Sequence, residues 1–127
     1  MEELFLEKTF STPLVQFNSA DHSILFEGRV IPEDANTIFT PVTAWVEKYF
    51  EQGNNKLKLI FRLYYYNTSS SKKIVLLLKR MDDFASQGKE VSAIWEYEEG
   101  DDDCMRDGED YKAMVKFPLD VVETKEL

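Results

Sequence analysis

The sequence predicts an α/β fold: a single-domain mixed β-sheet with an N-terminal β-hairpin and three main helices, spanning residues 1–127. Three observations predict it. Two β-prone runs, Pro13 to Phe17 and Ser23 to Val30, flank the turn formers Asn18-Ser19-Ala20-Asp21-His22, the pattern of a hairpin. Two later stretches repeat apolar residues at the three-and-four spacing of a helix face. Between and after them, alternating runs at 57–66 and 91–97 read as strands, so that strand, helix and strand cross over to a parallel neighbour.

Taken in order, Leu4 to Phe10 offers an edge strand before the hairpin. From Glu33 to Gln52 the residues Ala35, Ile38, Phe39, Val42, Trp45, Val46 and Tyr49 share one helix face, and Gly53 stands where a C-cap belongs. Pro41 lies inside this helix and predicts a bend or a separate first turn, because its ring clashes and its N–H is missing. Leu57 to Tyr66 alternates, and its second set turns apolar toward the end, which predicts a central strand covered on both faces. Asn67-Thr68-Ser69-Ser70-Ser71 is a run of N-cap formers. It leads into a second helix marked by Ile74, Leu77, Leu78, Met81, Phe84 and Ala85 and ending near Gly88. Val91, Ala93, Trp95 and Tyr97 make the next strand, a shorter helix carries Tyr111, Met114 and Val115, and Phe117 to Val122 returns as a last strand. The Trp45 and Leu77 faces of the first two helices are expected to pack on the strand 57–66.

At 127 residues with 43% hydrophobic content, the chain is about the size of one domain core. A formal charge of −9 with pI near 4.6 repels phosphate backbones and anionic lipid, so nucleic acid and membrane are poor partners. The acidity concentrates in residues 96–110, where nine acids meet a single base, Arg106. One cysteine, Cys104, cannot form an internal disulfide, residues 1–8 lack the pattern of a signal peptide, and no long apolar run occurs. The expected setting is the cytoplasm.

Enzyme chemistry finds little support. His22 is the only histidine and sits in a predicted turn, remote from Cys104 and from the serines, so neither a nucleophilic triad nor a closed zinc site assembles on it. Asp101-Asp102-Asp103 opens like a calcium loop, but the fifth and sixth places hold Met105 and Arg106, where a ligand spacing and a glycine are needed. The acidic segment reads instead as a solvated loop and helix start. Ser69 and Lys72 match a Ser-x-x-Lys pattern without its companion elements, and no glycine-rich phosphate loop exists. No catalytic constellation, metal or cofactor is predicted.

The junction Tyr64-Tyr65-Tyr66-Asn67-Thr68-Ser69-Ser70-Ser71-Lys72-Lys73 is left. It admits two readings. One is an ordinary N-cap on an interaction or scaffold domain without phospho-regulation. The other is a phosphorylation switch, since a phosphate there meets free helix N–H groups and Lys72 and Lys73, and changes any surface docked on Asn67, Ser69, Ser70, Ser71, Lys72 and Lys73.

Several segments carry a resemblance to a known family. They are Ser11-Thr12-Pro13, Gly28, Ile31-Pro32-Glu33, Ala35, Trp45-Val46-Glu47, Leu63, Tyr65, Asn67-Thr68-Ser69-Ser70, Lys72, Val91, Trp95, Tyr97, the acidic stretch and Phe117-Pro118. With these the chain resembles the SiaC family of bacterial regulatory phosphoproteins over nearly its whole length. The resemblance implies a fold like that of STAS and SpoIIAA-type anti-sigma-factor antagonists, with Thr68 as the phosphoacceptor. It also implies a partner switch: a Ser/Thr kinase with a histidine-kinase-like ATPase fold, a PP2C-type phosphatase, and an effector, a diguanylate cyclase in some systems, bound by the dephosphorylated form. A non-enzymatic phospho-switch adaptor is the expected function, with a constitutive scaffold domain as the alternative.

Overall fold

Each strand pairs with its neighbour in the chain. The structure is a computed structural model and describes residues 3–126. Strands β1 (Phe5–Leu6), β2 (Leu14–Asn18) and β3 (Ser23–Val30) form an antiparallel meander. Helix α1 (Asn36–Glu51) then carries the chain to β4 (Lys56–Tyr66), parallel to β3. Helix α2 (Thr68–Ser86) leads to β5 (Glu90–Glu98), and α3 (Asp102–Met114) leads to β6 (Leu119–Thr124), each strand parallel to the one before. One mixed sheet results, in the order β1-β2-β3-β4-β5-β6. The hairpin, the three helices and the interior position of 57–66 agree with the sequence.

Three crossovers that all advance in one direction with one hand place their helices on one face of the sheet. Helix α1 packs against α2, and α2 against α3. The core follows this layering. Ile24, Phe26, Leu57, Leu59, Phe61, Leu63, Val91, Ala93 and Trp95 from the strands are buried with Val42, Trp45, Val46, Ile74, Leu77, Leu78 and Met81 from α1 and α2. The alternate residues Lys58, Ile60, Arg62, Ser92, Ile94 and Glu96 are only half-buried. Strand β4 is therefore central by pairing but covered on one face, which corrects the expectation of cover on both.

The apolar turn of the second residue set in β4 has a different cause. Gly28 pairs with Leu63, yet Arg29 pairs with Tyr65, so β4 carries one extra residue, Tyr64, at a bulge. A bulge resets the alternation of side chains. Tyr64 contacts Lys8 and Arg29 on the uncovered side, whereas Tyr66 returns to the helix side and meets Trp95. Gly28 has φ +123°, and the Lys8 stem lies 3.0 Å from where its Cβ would stand, so this position suits glycine on two counts.

Four local expectations change. Helix α1 runs unbroken through Pro41, which is exposed in its second turn, so the chain there is not split into two pieces. Of Leu4 to Phe10, only Phe5 and Leu6 pair as a strand. Val115 is extended and stands just past α3. The acidic run 96–110 is a helix start as expected, with the acids from Asp102 onward helical and Asp101 as the cap, but it holds little loop, because Glu96 and Glu98 end β5.

Candidate functional site

The end of β4 is fixed before α2 begins. The Tyr66 hydroxyl donates to Asp107 Oδ2 of α3 at 2.5 Å, and its ring meets the Trp95 indole edge-on at 5.6 Å. Burial, and then the bond to Asp107, push the Tyr66 hydroxyl well above the usual tyrosine range, so it stays a neutral donor. Trp95 in turn donates from Nε1 to the Cys104 carbonyl at 2.9 Å. A Cβ at Gly108 would collide with the indole, which explains a glycine inside α3. One aromatic thus braces both the approach to α2 and the first turn of α3.

Asn67 takes over at the junction. Its backbone N–H donates to the Val30 carbonyl at 3.1 Å, and its Nδ2 to the Pro32 carbonyl at 3.4 Å. Its Oδ1 accepts from the Ser70 backbone N–H at 2.9 Å and from the Ser69 hydroxyl at 3.2 Å. With φ −90° and ψ 173° this is an N-cap, a device that contributes about 0.5–2 kcal/mol. The sequence predicted a cap within 67–71, and the structure assigns that duty to Asn67.

The hydroxyls that follow have different surroundings. Thr68 is the first helical residue and is exposed, and its hydroxyl has no hydrogen-bond partner among the described residues. Ser69 is exposed and tied to the cap. Ser70 is fully buried, with a hydroxyl that has no partner among the described residues, so it presents no surface to a protein. This corrects its place in the docking set; it faces inward because its position in the first turn shares the buried side with Ile74 and Leu77. Ser71 is half-buried and lies near Tyr111 of α3, whose hydroxyl burial displaces upward in its titration. Lys72 is exposed, while the half-buried Lys73 lines a groove of about 470 Å³ between α1 and α2 with Phe39, Ala44, Glu47, Leu77 and Arg80. Leu76, on the same rim, is 57% exposed.

No acidic residue lies in the first turn of α2. The partial positive charge of a helix start therefore has no anion of its own there. Sequence reasoning missed the Tyr66, Trp95 and Asp107 brace; its only local trace was the aromatic run closing β4. Among the described residues no group of His, Cys, Asp and Glu is placed to hold a metal ion. No helix there is long and apolar enough to cross a membrane.

Fold and junction define a class: an α/β domain with helices on one sheet face that presents an unbonded hydroxyl at a capped helix start. The model of the SiaC family regulatory phosphoprotein matches residues 6–124. The chain belongs to the SiaC family. An uncharacterized protein of Pseudomonas aeruginosa strain UCBPP-PA14 is 29% identical over 119 residues, covering 94% of both chains. The crystal structure of apo-SiaC from Pseudomonas aeruginosa superposes with a TM-score of 0.88 at 29% identity, covering 96% of this chain and 99% of that one. SiaC from the same organism, solved in complex with the diguanylate cyclase SiaD that it activates, gives a TM-score of 0.89 at 28% identity, covering 95% and 99%.

Proposed function

We propose that this protein is a non-enzymatic phospho-switch adaptor, reversibly phosphorylated on Thr68, that binds an effector in its dephosphorylated form. One observation carries the reading: Thr68 is exposed and unbonded at the start of α2, while the cap is made by Asn67. A kinase can reach Thr68 without uncapping the helix, and phosphate there meets free N–H groups with Lys72 and Lys73 one turn on. The fold stays intact, because the helix-terminus field favours an anion by only ~0.3–1 kcal/mol. A docked surface does not tolerate the change, since an unpaired dianion in an apolar interface costs roughly several kcal/mol.

The docking surface in this reading runs from Asn67, Ser69, Ser71 and Lys72 to Lys73 and the α1–α2 groove. Its regulators are a Ser/Thr kinase with a histidine-kinase-like ATPase fold and a PP2C-type phosphatase, acting in the cytoplasm. The family's description as regulatory phosphoproteins supports modification, and the SiaC solved with SiaD supports a diguanylate cyclase as the effector class. Phosphosite mapping after reaction with the cognate kinase tests the assignment. Phosphate on Thr68, no phosphate on Thr68→Ala, and effector binding retained by that variant are expected. Full modification of Thr68→Ala, or undiminished effector binding by the phosphorylated protein, overturns it.

A further inference from the structure

We propose that the kinase acting on Thr68 recognises it through a rigid aromatic patch at the same end of the sheet, with Phe10 and Tyr65 as the anchors. The inference rests on the Thr68 reading and adds the grip that reading lacks. Thr68 is the first residue of α2, behind a formed cap. A hydroxyl on a fixed helix start is not offered in extended chain unless the cap opens, so a kinase has to grip folded surface beside it. The target itself gives little hold, because one neutral hydroxyl makes a single modest hydrogen bond. A phosphatase, by contrast, meets a dianion with several strong acceptors. Of the two enzymes, the kinase is the one that depends on neighbouring side chains.

Those neighbours stand on the sheet side of the junction. The Asn67 backbone N–H donates to Val30, and the register pair just before it is Arg29 with Tyr65, so Tyr65 lies at the strand end close to Thr68. It is 61% exposed. The Ile31 N–H donates to the Ser11 carbonyl at 2.8 Å and brings Phe10, 77% exposed, to the same end, where its ring lies over the Arg29 guanidinium at 4.5 Å. Thr9 and Thr12 close a turn around Phe10: the Thr9 N–H donates to the Thr12 carbonyl at 2.9 Å, and the Thr12 N–H to Thr9 Oγ1 at 3.0 Å. An exposed aromatic on a braced turn is ordered before it meets a partner, so docking on it costs little loop entropy. Aromatic and arginine side chains also carry much of the energy of protein contacts. Tyr65 and Arg29 face away from the helices, so the patch and the α1–α2 groove lie on opposite faces of the sheet. Thr68 stands where the chain passes between the two layers. A kinase held on the sheet side reaches it without entering the groove assigned to the effector.

The test uses full-length Thr68→Ala as its background, so that binding is read without phosphoryl transfer. The cognate kinase loaded with ADP is titrated with this protein by calorimetry. Adding Phe10→Ala or Tyr65→Ala is expected to weaken binding about tenfold each, the scale of an aromatic anchor, while Tyr65→Phe keeps it. Met114→Ala removes an apolar side chain, 50% exposed, at the far end of the sheet, and is expected to change nothing. With Thr68 restored, Phe10→Ala and Tyr65→Ala are expected to raise KM for phosphorylation about tenfold at unchanged kcat, and to leave effector binding and dephosphorylation as in the wild type. Unchanged amide spectra in the core strands report an intact fold. Wild-type kinase binding by the Phe10→Ala/Tyr65→Ala double variant overturns the proposal. So does an equal loss of effector binding or of dephosphorylation, which would name a different occupant. Phosphate mapped to a residue other than Thr68, with kinase binding still lost in the double variant, overturns the phosphoacceptor reading alone.

Discussion

Helices α2 and α3 begin with the same device and carry opposite electrostatics. Asn67 Oδ1 accepts from the Ser70 N–H at 2.9 Å, and Asp101 Oδ1 accepts from the Cys104 N–H at 3.1 Å. At α3 the cap is itself a carboxylate, and Asp102 and Asp103 crowd the first turn. At α2 the cap is neutral, the first turn holds hydroxyls, and lysines follow. The difference teaches where an added anion can go. The start of α3 is already saturated with negative charge, and a further one meets repulsion; the start of α2 has the field without the occupant.

The comparison is broken most severely at Trp95, which supports both starts. Trp95→Ala is expected to remove about 3–5 kcal/mol of stability, read from denaturant unfolding, and to speed amide exchange at both helix starts. Gly108→Ala separates them. Its Cβ runs into Trp95, so a loss of about 1–3 kcal/mol is expected from overpacking, with exchange rising in α3 before α2.

The alkaline range sharpens the α2 side. The Tyr66 hydroxyl has its folded value raised, first by burial and then by Asp107, so the stability it lends is complete below about pH 10 and declines as pH rises toward the folded value. The wild type is expected to lose up to about 1.4 kcal/mol more per pH unit above 10 than Tyr66→Phe. Urea midpoints for the two proteins at pH 9 and at more alkaline values check this; Tyr111, also raised by burial, is common to both and drops out of the difference.

The caps themselves give smaller effects. Asn67→Ala is expected to lower stability by about 0.5–2 kcal/mol and to exceed Asp101→Ala, because Asn67 also holds Ser69 and the Pro32 carbonyl. The smallest effect discriminates most directly between the two starts. Thr68→Asp is expected to stabilise the fold by about 0.3–1 kcal/mol in low salt, whereas Asp102→Asn is expected to change it by less than about 0.5 kcal/mol. Thermal unfolding of the two variants at low and high ionic strength checks the pair.

What could be read in the sequence was what repeats locally. The helix faces at Ala35, Ile38, Phe39, Val42, Trp45, Val46 and Tyr49 and at Ile74, Leu77, Leu78, Met81 and Phe84 are buried as their spacing required. The N-cap run stood out because Asn, Thr and Ser cluster there, but which of them caps depends on the chain angle where β4 ends. One-sided cover was harder to see, since Ile60 and Ile94 look like core residues and only the topology leaves them open. The bulge at Tyr64 is a one-residue slip set by pairing with β3, for which Gly28 is a faint trace. Tyr66 and Asp107 meet across 41 residues, a separation no local pattern carries. The charge of the acidic run marks a loop and helix start, but it hides the strand end at Glu96 and Glu98 and the cap at Asp101.

A sheet whose strands lie in chain order has a consequence for how the molecule is made. No strand waits for a partner from the far end of the chain; each parallel pairing closes a single helical crossover. As the chain leaves the ribosome the β1–β3 meander can form first, and each later helix and strand adds to an edge already in place. Contacts of modest sequence separation lower the entropy of closure and favour rapid folding for a largely parallel sheet. Until β5 arrives, the growing edge is β4, whose alternating Lys58 and Arg62 put charge on a strand that would otherwise invite pairing with a neighbouring nascent chain.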